Sequence, residues 1–234
     1  MNITGHGDYL IKLTRFGVLN AFLVREDDGF TLVDAIIAGS GAAIIEAAAQ
    51  QGAEIKRIAL THAHVDHVGA VDEIKAALPD VTILASARDA RFLRDDPSVD
   101  PNEPQIKLRG AYTQIKSDVD RELADGDQVA SLRVVKSPGH TPGHIAFLDT
   151  RDNSLIAGDA FQTQGGIAVA GTIRLLFPLP AFGTWHRPLS IESAEGLHRL
   201  KPDRLAVGHG PVLEHPQAAM AQAIEVARRQ TGLT

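Results

Sequence analysis

Residues Thr61-His62-Ala63-His64-Val65-Asp66-His67 follow directly on the apolar run Ile58-Ala59-Leu60. Three histidines and an aspartate thus sit within six residues, at the end of a predicted buried strand. A fold that carries them must end that strand at an accessible edge and turn there. In an extended segment His62 and His64 point the same way, because alternate residues share a face. Asp66 and His67 are adjacent, so a turn is needed before both can face a second direction. Three further residues of the same chemistry occur at long range. His140 lies in Ser137-Pro138-Gly139-His140-Thr141-Pro142-Gly143-His144, Asp159 in Ala157-Gly158-Asp159, and His209 in Gly208-His209-Gly210-Pro211. Five imidazoles and two carboxylates suffice for two neighbouring metal ions with coordination positions left over for water. Open positions separate a catalytic zinc site from a structural one.

The chain has no cysteine among its 234 residues, so any ion must be held by histidine and carboxylate. That donor set favours zinc and equally tolerates iron, manganese or cobalt. Net charge is −6, and no run of Lys and Arg resembles a phosphate-binding stripe. A small-molecule substrate is therefore expected, and nucleic acid is not. The first eight residues carry neither a basic leader nor an apolar signal core. No apolar run approaches the roughly 20 residues of a membrane span. The expectation is a cytoplasmic protein without membrane contact.

Alternating apolar residues and turn signals predict strands at 9–14, 19–25 and 30–34. A helix is expected over 42–51, a buried strand over 57–61, a helix over 71–78, a strand over 81–85 and a charged helical piece over 87–94. The Pro-rich run 95–104 reads as an excursion within a single domain spanning 1–234. Strands follow at 132–136, 145–149, 154–157 and 204–207, with helices at 191–200 and 217–230. Two halves of this kind predict an α/β layered sandwich, helices outside and two sheets inside.

Other residues take plainer readings. His6, His198 and His215 are surface or core hydrogen-bonders, and Gly39-Ser40-Gly41 is a helix entry that lacks the lysine of a phosphate-binding loop. The stretch from Leu175 to His186, with Phe177, Phe182 and Trp185, is apolar and irregular. It reads either as an apolar wall over the metals or as core or a homodimer contact.

The set His62-x-His64-x-Asp66-His67, Pro-Gly-His140-Thr-Pro-Gly-His144, Gly-Asp159 and Gly-His209-Gly-Pro resembles the metallo-β-lactamase superfamily in order and approximate spacing. The resemblance runs from about Asp34 to His209 and implies the αβ/βα four-layer sandwich with metals at one edge. By position it implies His62, His64 and His140 on one ion, Asp66, His67 and His209 on the other, and Asp159 on both. Asp34 would orient a ligand imidazole from behind, and His144 would act by hydrogen bonding. Asp66 would also serve as the catalytic acid/base. The implied activity is hydrolysis of an ester-like bond, lactone or thioester, by a hydroxide held between two ions. Phosphodiester hydrolysis and mononuclear iron persulfide-dioxygenase chemistry are the alternatives. Gln162 stands where lactonases of the superfamily place a tyrosine, and is counted with Phe177, Phe182 and Trp185 among the substrate-binding positions.

Overall fold

A computed structural model of the chain describes residues 1–232. Strands β1 (Asn2–His6), β2 (Leu10–Arg15), β3 (Leu19–Glu26), β4 (Gly29–Val33), β5 (Ile55–Ala59), β6 (Thr82–Ser86) and β7 (Arg121–Leu123) form one sheet in sequence order. The first four make an antiparallel meander. From β4 to β7 the strands run parallel, and each parallel step needs a crossover. Those crossovers carry α1 (Gly41–Gln50), then α2 (Val65–Val68) and α3 (Val71–Ala77), then α4 (Ala87–Leu93).

The second sheet holds β8 (Gln128–Val129), β9 (Leu132–Lys136), β10 (Ile145–Asp149), β11 (Ser154–Ile156), β14 (Arg204–Ala206) and β15 (Leu213–Glu214). A small hairpin, β12 (Phe161–Gln162) with β13 (Ala168–Val169), follows β11. Helices α5 (Leu179–Gly183), α6 (Arg187–Arg199) and α7 (Gln217–Thr231) complete the chain.

Strand alternation builds the layers. On β3, Phe22 and Val24 enter the core between the sheets, whereas Ala21 and Leu23 pack under the helices of the first half. On β10, Ile145 and Phe147 face the inter-sheet core while Ala146 and Leu148 face the other way, into the cluster with α6 and α7. Every residue of β10 is buried because both of its faces are covered. Helix α7 buries Met220, Ala223, Ile224 and Ala227, the spacing of one helical stripe. Full burial of a side chain such as Phe147 stabilises the fold by roughly 1.5–3 kcal/mol. The result is a helix–sheet–sheet–helix sandwich, the four-layer arrangement expected from the sequence.

Register then places the functional segments. Val33 pairs with Ala59, so β4 and β5 end together, and β6 runs only two residues beyond Leu84, the partner of Ala59. In the other sheet Ile156 pairs with Ala206, so the parallel strands β11 and β14 also end together. Asp34, the 61–67 segment, Asp159 and His209 all lie just past those C-terminal ends.

Several elements go beyond the sequence expectation. Strand β1 is an edge strand with no fully buried residue, so its sequence carries little apolar alternation. Helix α6 begins at Arg187, four residues before the expected start. The His186 side chain caps it by accepting the Leu189 N–H, and Pro188 fits the first turn. Helix α2 forms inside the histidine cluster itself and supplies the turn that Asp66 and His67 require. Among the described residues, no helix is long and apolar enough to cross a membrane.

Candidate metal centre

The seven residues of the four motifs converge. One nitrogen or carboxylate oxygen from each of His62, His64 and His140 lies within 4.8 Å of the others, and the same holds for Asp66, His67 and His209. A third such group joins His62 and His67 with Asp159, between the other two. Asp159 lies 3.4 Å from His140 Nε2, 3.5 Å from His67 Nε2 and 3.3 Å from His209 Nε2. All seven are buried except Asp66, whose side chain is 32 % exposed. It is the ligand-type residue most open to a substrate.

The outward side of each imidazole is occupied by a protein acceptor. His67 Nδ1–H donates to Asp34 at 2.8 Å, His209 Nδ1–H to the Val18 carbonyl at 3.0 Å, and His64 Nε2–H to the Arg109 carbonyl at 3.1 Å. Thr61 Oγ1 donates to Asp34, so at 3.0 Å it accepts from His62 Nδ1–H. Thr184 Oγ1 donates to the Pro180 carbonyl and accepts from His140 Nδ1–H at 3.1 Å. The network thus fixes the outward ring proton of each imidazole and turns the remaining nitrogen inward. Five inward nitrogens on buried rings, each able to give a lone pair once any proton on it is displaced, are what metal coordination requires. His62 Nε2, His67 Nε2 and Asp159 Oδ1 have no hydrogen-bond partner, although burial makes an unpartnered polar atom costly. These orphaned atoms and the donor chemistry fit two divalent ions.

The electrostatics divide the cluster. Burial holds His62 and His140 well below the ordinary imidazole value, and His64 moves the same way. Burial also acts on His67, but Asp159, Asp34 and Asp66 outweigh it and push that ring up to about 9. His209 is raised against burial by Asp159 and Asp66. Burial alone would raise Asp159, yet His209 and His67 hold it well below the carboxylate range. Carboxylates and imidazoles here already compensate one another, and a cation would take over that role.

Two buried polar residues position the ligand loops. His144 is fully buried, receives the Asp159 backbone N–H on Nε2 at 3.1 Å and faces Ser137 Oγ at 2.9 Å with Nδ1. It orients the backbone of the bridging carboxylate and belongs to none of the three candidate ligand groups. Asp89, on α4, was not singled out by its sequence context, a charged amphipathic segment. Its carboxylate accepts the N–H groups of Ala63 and Gly143 and the Thr141 hydroxyl. Burial pushes it up to about 6, against the pull of those hydrogen bonds. The one local signal is Ser86 three residues earlier, which caps α4 by accepting the Asp89 N–H. Gly208 is required by close approach, since a Cβ there would lie 2.3 Å from Asp159 Oδ1.

A cavity of about 310 Å³ opens over the cluster, with His64, Asp66, His140, Asp159 and His209 as its floor. Leu19, Phe177, Leu179 and Phe182 are among its walls. The Phe177 ring lies 5.3 Å from that of His209, and Phe182 is 57 % exposed at the rim. Two of the expected substrate positions fall elsewhere. Trp185 is buried, donates its Nε1–H to the Ile106 carbonyl and lines a neighbouring cavity. Gln162 is buried outside the lining, donating to the Phe177 carbonyl at 3.3 Å, because β12 turns its side chain behind that residue.

A family model described as the metallo-β-lactamase superfamily matches residues 14–209. The uncharacterized protein YobT of Bacillus subtilis is 44 % identical over 222 residues, covering 93 % of this chain and 95 % of that one. A hydroxyacylglutathione hydrolase of Rhizobium etli is 30 % identical, covering 91 % of this chain and 68 % of the relative. Among solved structures, TTHA1623 in a di-iron-bound form superposes with a TM-score of 0.64 at 26 % identity, covering 91 % of this chain and 97 % of that one.

Proposed function

The chain belongs to the metallo-β-lactamase superfamily, and from that premise we propose that it hydrolyses an ester-like bond, a lactone or thioester, in a small molecule. The observation that carries this reading is the set of five imidazoles, each tied outward and each presenting one nitrogen inward, beside Asp66 and Asp159. His62, His64 and His140 would hold one ion, Asp66, His67 and His209 the other, and Asp159 both. Bound there, two divalent ions supply Lewis acidity that brings the pKa of water towards neutrality and polarises a carbonyl oxygen.

The chain's own residues do the rest. Asp34 and Thr61 accept the outward ring protons of His67 and His62 and so aim the inward nitrogens at the ion positions. Burial would raise Asp66, but His67 and His209 hold it well below the carboxylate range. On the cavity floor it would therefore act as a charged acceptor that orients the attacking water and relays its proton to a leaving oxygen or sulfur. Leu19, Phe177 and Leu179 exclude bulk water from one side and favour an apolar group beside the scissile bond.

Thioester hydrolysis is supported by the relative named hydroxyacylglutathione hydrolase. The metal pocket has no Lys or Arg in its lining, which disfavours a phosphodiester. Zinc is the metal we propose. Iron is the competing identity, because TTHA1623 has been solved with two irons. The mononuclear iron dioxygenase reading is disfavoured by the second ligand group, Asp66, His67 and His209. A screen of lactones, thioesters, phosphodiesters and β-lactams, with protein of measured metal content, tests the proposal. The expected result is about two ions per chain, the count those ligand groups would hold, with turnover of a lactone or thioester that is lost on chelation. No more than one tightly bound ion, or turnover confined to phosphodiesters, would overturn it.

A further inference from the structure

A second cavity, of about 880 Å³, lies beside the metal pocket, and the two share Gly110 and Phe182 as lining. Its walls come from the 106–110 segment and the start of α6, and they include Lys107, Arg109 and Arg187 but no Asp or Glu. Among the described residues none of these three cations takes part in an ion pair. Arg88, Arg91 and Arg94, only slightly earlier in the chain, are each matched to a carboxylate. Three unmatched cations around one concavity, in a chain of net charge −6, form a local positive field against an acidic background. The first turn of the 13-residue helix α6 opens at the same wall and adds its partial positive charge.

The cationic wall is mechanically joined to the metal centre. The Arg109 carbonyl accepts the His64 ring N–H. Gly110 follows at φ +88°, and a Cβ there would meet the His64 ring at 2.1 Å, so this backbone runs as close to the candidate ligand as glycine permits. A molecule with its reacting carbonyl over Asp66 and His209 would reach past Phe182 into the second cavity.

We propose that this cavity is a subsite for an anionic group, a carboxylate or phosphate, carried by the substrate on the far side of Phe182 from the bond that is cleaved. The inference rests on the hydrolase reading and narrows it: the substrate is an ester or thioester with an apolar centre and an anionic end. Neutral lactones would then be the poorer substrates.

Matched 4-nitrophenyl esters test it, with acyl chains of equal length ending in methyl, carboxylate or phosphonate, on the metal-loaded full chain. The expected result is a kcat/KM about tenfold higher for an anionic chain than for the methyl one, the scale of two exposed ion pairs. The preference should appear in KM and shrink as salt is raised. The carboxylate and phosphonate arms decide between the two anions. In the double variant Lys107→Gln with Arg109→Gln the preference should fall to near unity, with metal content measured alongside to exclude damage at His64. A preference that is absent in the natural chain, or that survives in the double variant, would overturn the subsite.

Failure of the hydrolase reading would look different, as no turnover of any ester. The subsite is then judged by binding alone. Trp185, the only tryptophan, lines this cavity. Its fluorescence should change saturably on titration with succinate or inorganic phosphate, and should not do so in the double variant. No saturable change with either anion would sink the proposal independently of catalysis.

Discussion

The Asp89 carboxylate accepts a hydrogen bond from the Ala63 N–H at 2.9 Å, the amide set between His62 and His64. Thr141, next to His140, donates its hydroxyl to the same oxygen, and the other oxygen accepts the Gly143 N–H at 2.8 Å. One buried side chain therefore braces both loops that bring His62, His64 and His140 together. Asp89→Asn replaces an acceptor by a donor and leaves a buried N–H or hydroxyl unpartnered, at a cost of about 1–3 kcal/mol. Metal affinity at that group should fall about ten- to a hundredfold, the usual effect of losing a residue that supports ligands. Titration with cobalt, read by its visible absorption, checks this; affinity equal to that of the natural chain would remove Asp89 from the site.

Asp66 is the exposed member of the cluster, and its substitution separates chemistry from assembly. Asp66→Asn should retain an ion at His62, His64 and His140 while turnover falls at least about a hundredfold, the scale of losing a positioned acid or base. Stopped turnover assays on variant protein of known metal content decide it. Near-normal turnover would leave Asp66 with a scaffold role only.

The metal-free protein should lose stability as pH rises from 7 to 10. Burial disfavours charge on His67, but Asp159, Asp34 and Asp66 overcome this and raise its folded value to about 9. A ring with a raised folded pKa contributes stability that is fully present below its unfolded value of about 6.5 and is lost as pH passes through the folded one. Bound ions need the neutral ring, so metal-loaded protein should not show that decline. Parallel melting profiles for chelated and loaded protein would defeat this account.

Phe182 and Trp185 should respond oppositely to truncation. Trp185→Ala empties a buried position and should destabilise the fold by about 3–5 kcal/mol. Phe182 is 57 % exposed, so Phe182→Ala should leave the melting temperature nearly unchanged and raise KM for apolar esters. Melting curves and steady-state kinetics on the two variants distinguish them. A large drop in melting temperature for Phe182→Ala would place that ring in the core.

Local chemistry is legible in the chain itself. The sequence His62-x-His64-x-Asp66-His67, with His140, Asp159 and His209 at their distances, identifies a donor set, and donor chemistry is a property of side chains alone. In β3 and β10 the period of two likewise puts alternate residues on opposite faces, but which face meets the other sheet was decided by packing. Other features depended on contacts between residues far apart in the chain. Asp89 carries no mark of its role, since its partners, Ala63 and Gly143, are 26 and 54 residues away. No basic cluster is visible along the sequence, yet Lys107 and Arg109 line one cavity together with Arg187 at the start of α6. Trp185 lies between Asp159 and His209 in the chain, but a hydrogen bond to Ile106 sets it in the wall of the second cavity instead of over the metal pocket. Side-chain identity determined what chemistry was available, and packing over long sequence separations decided where that chemistry was placed and what faces it.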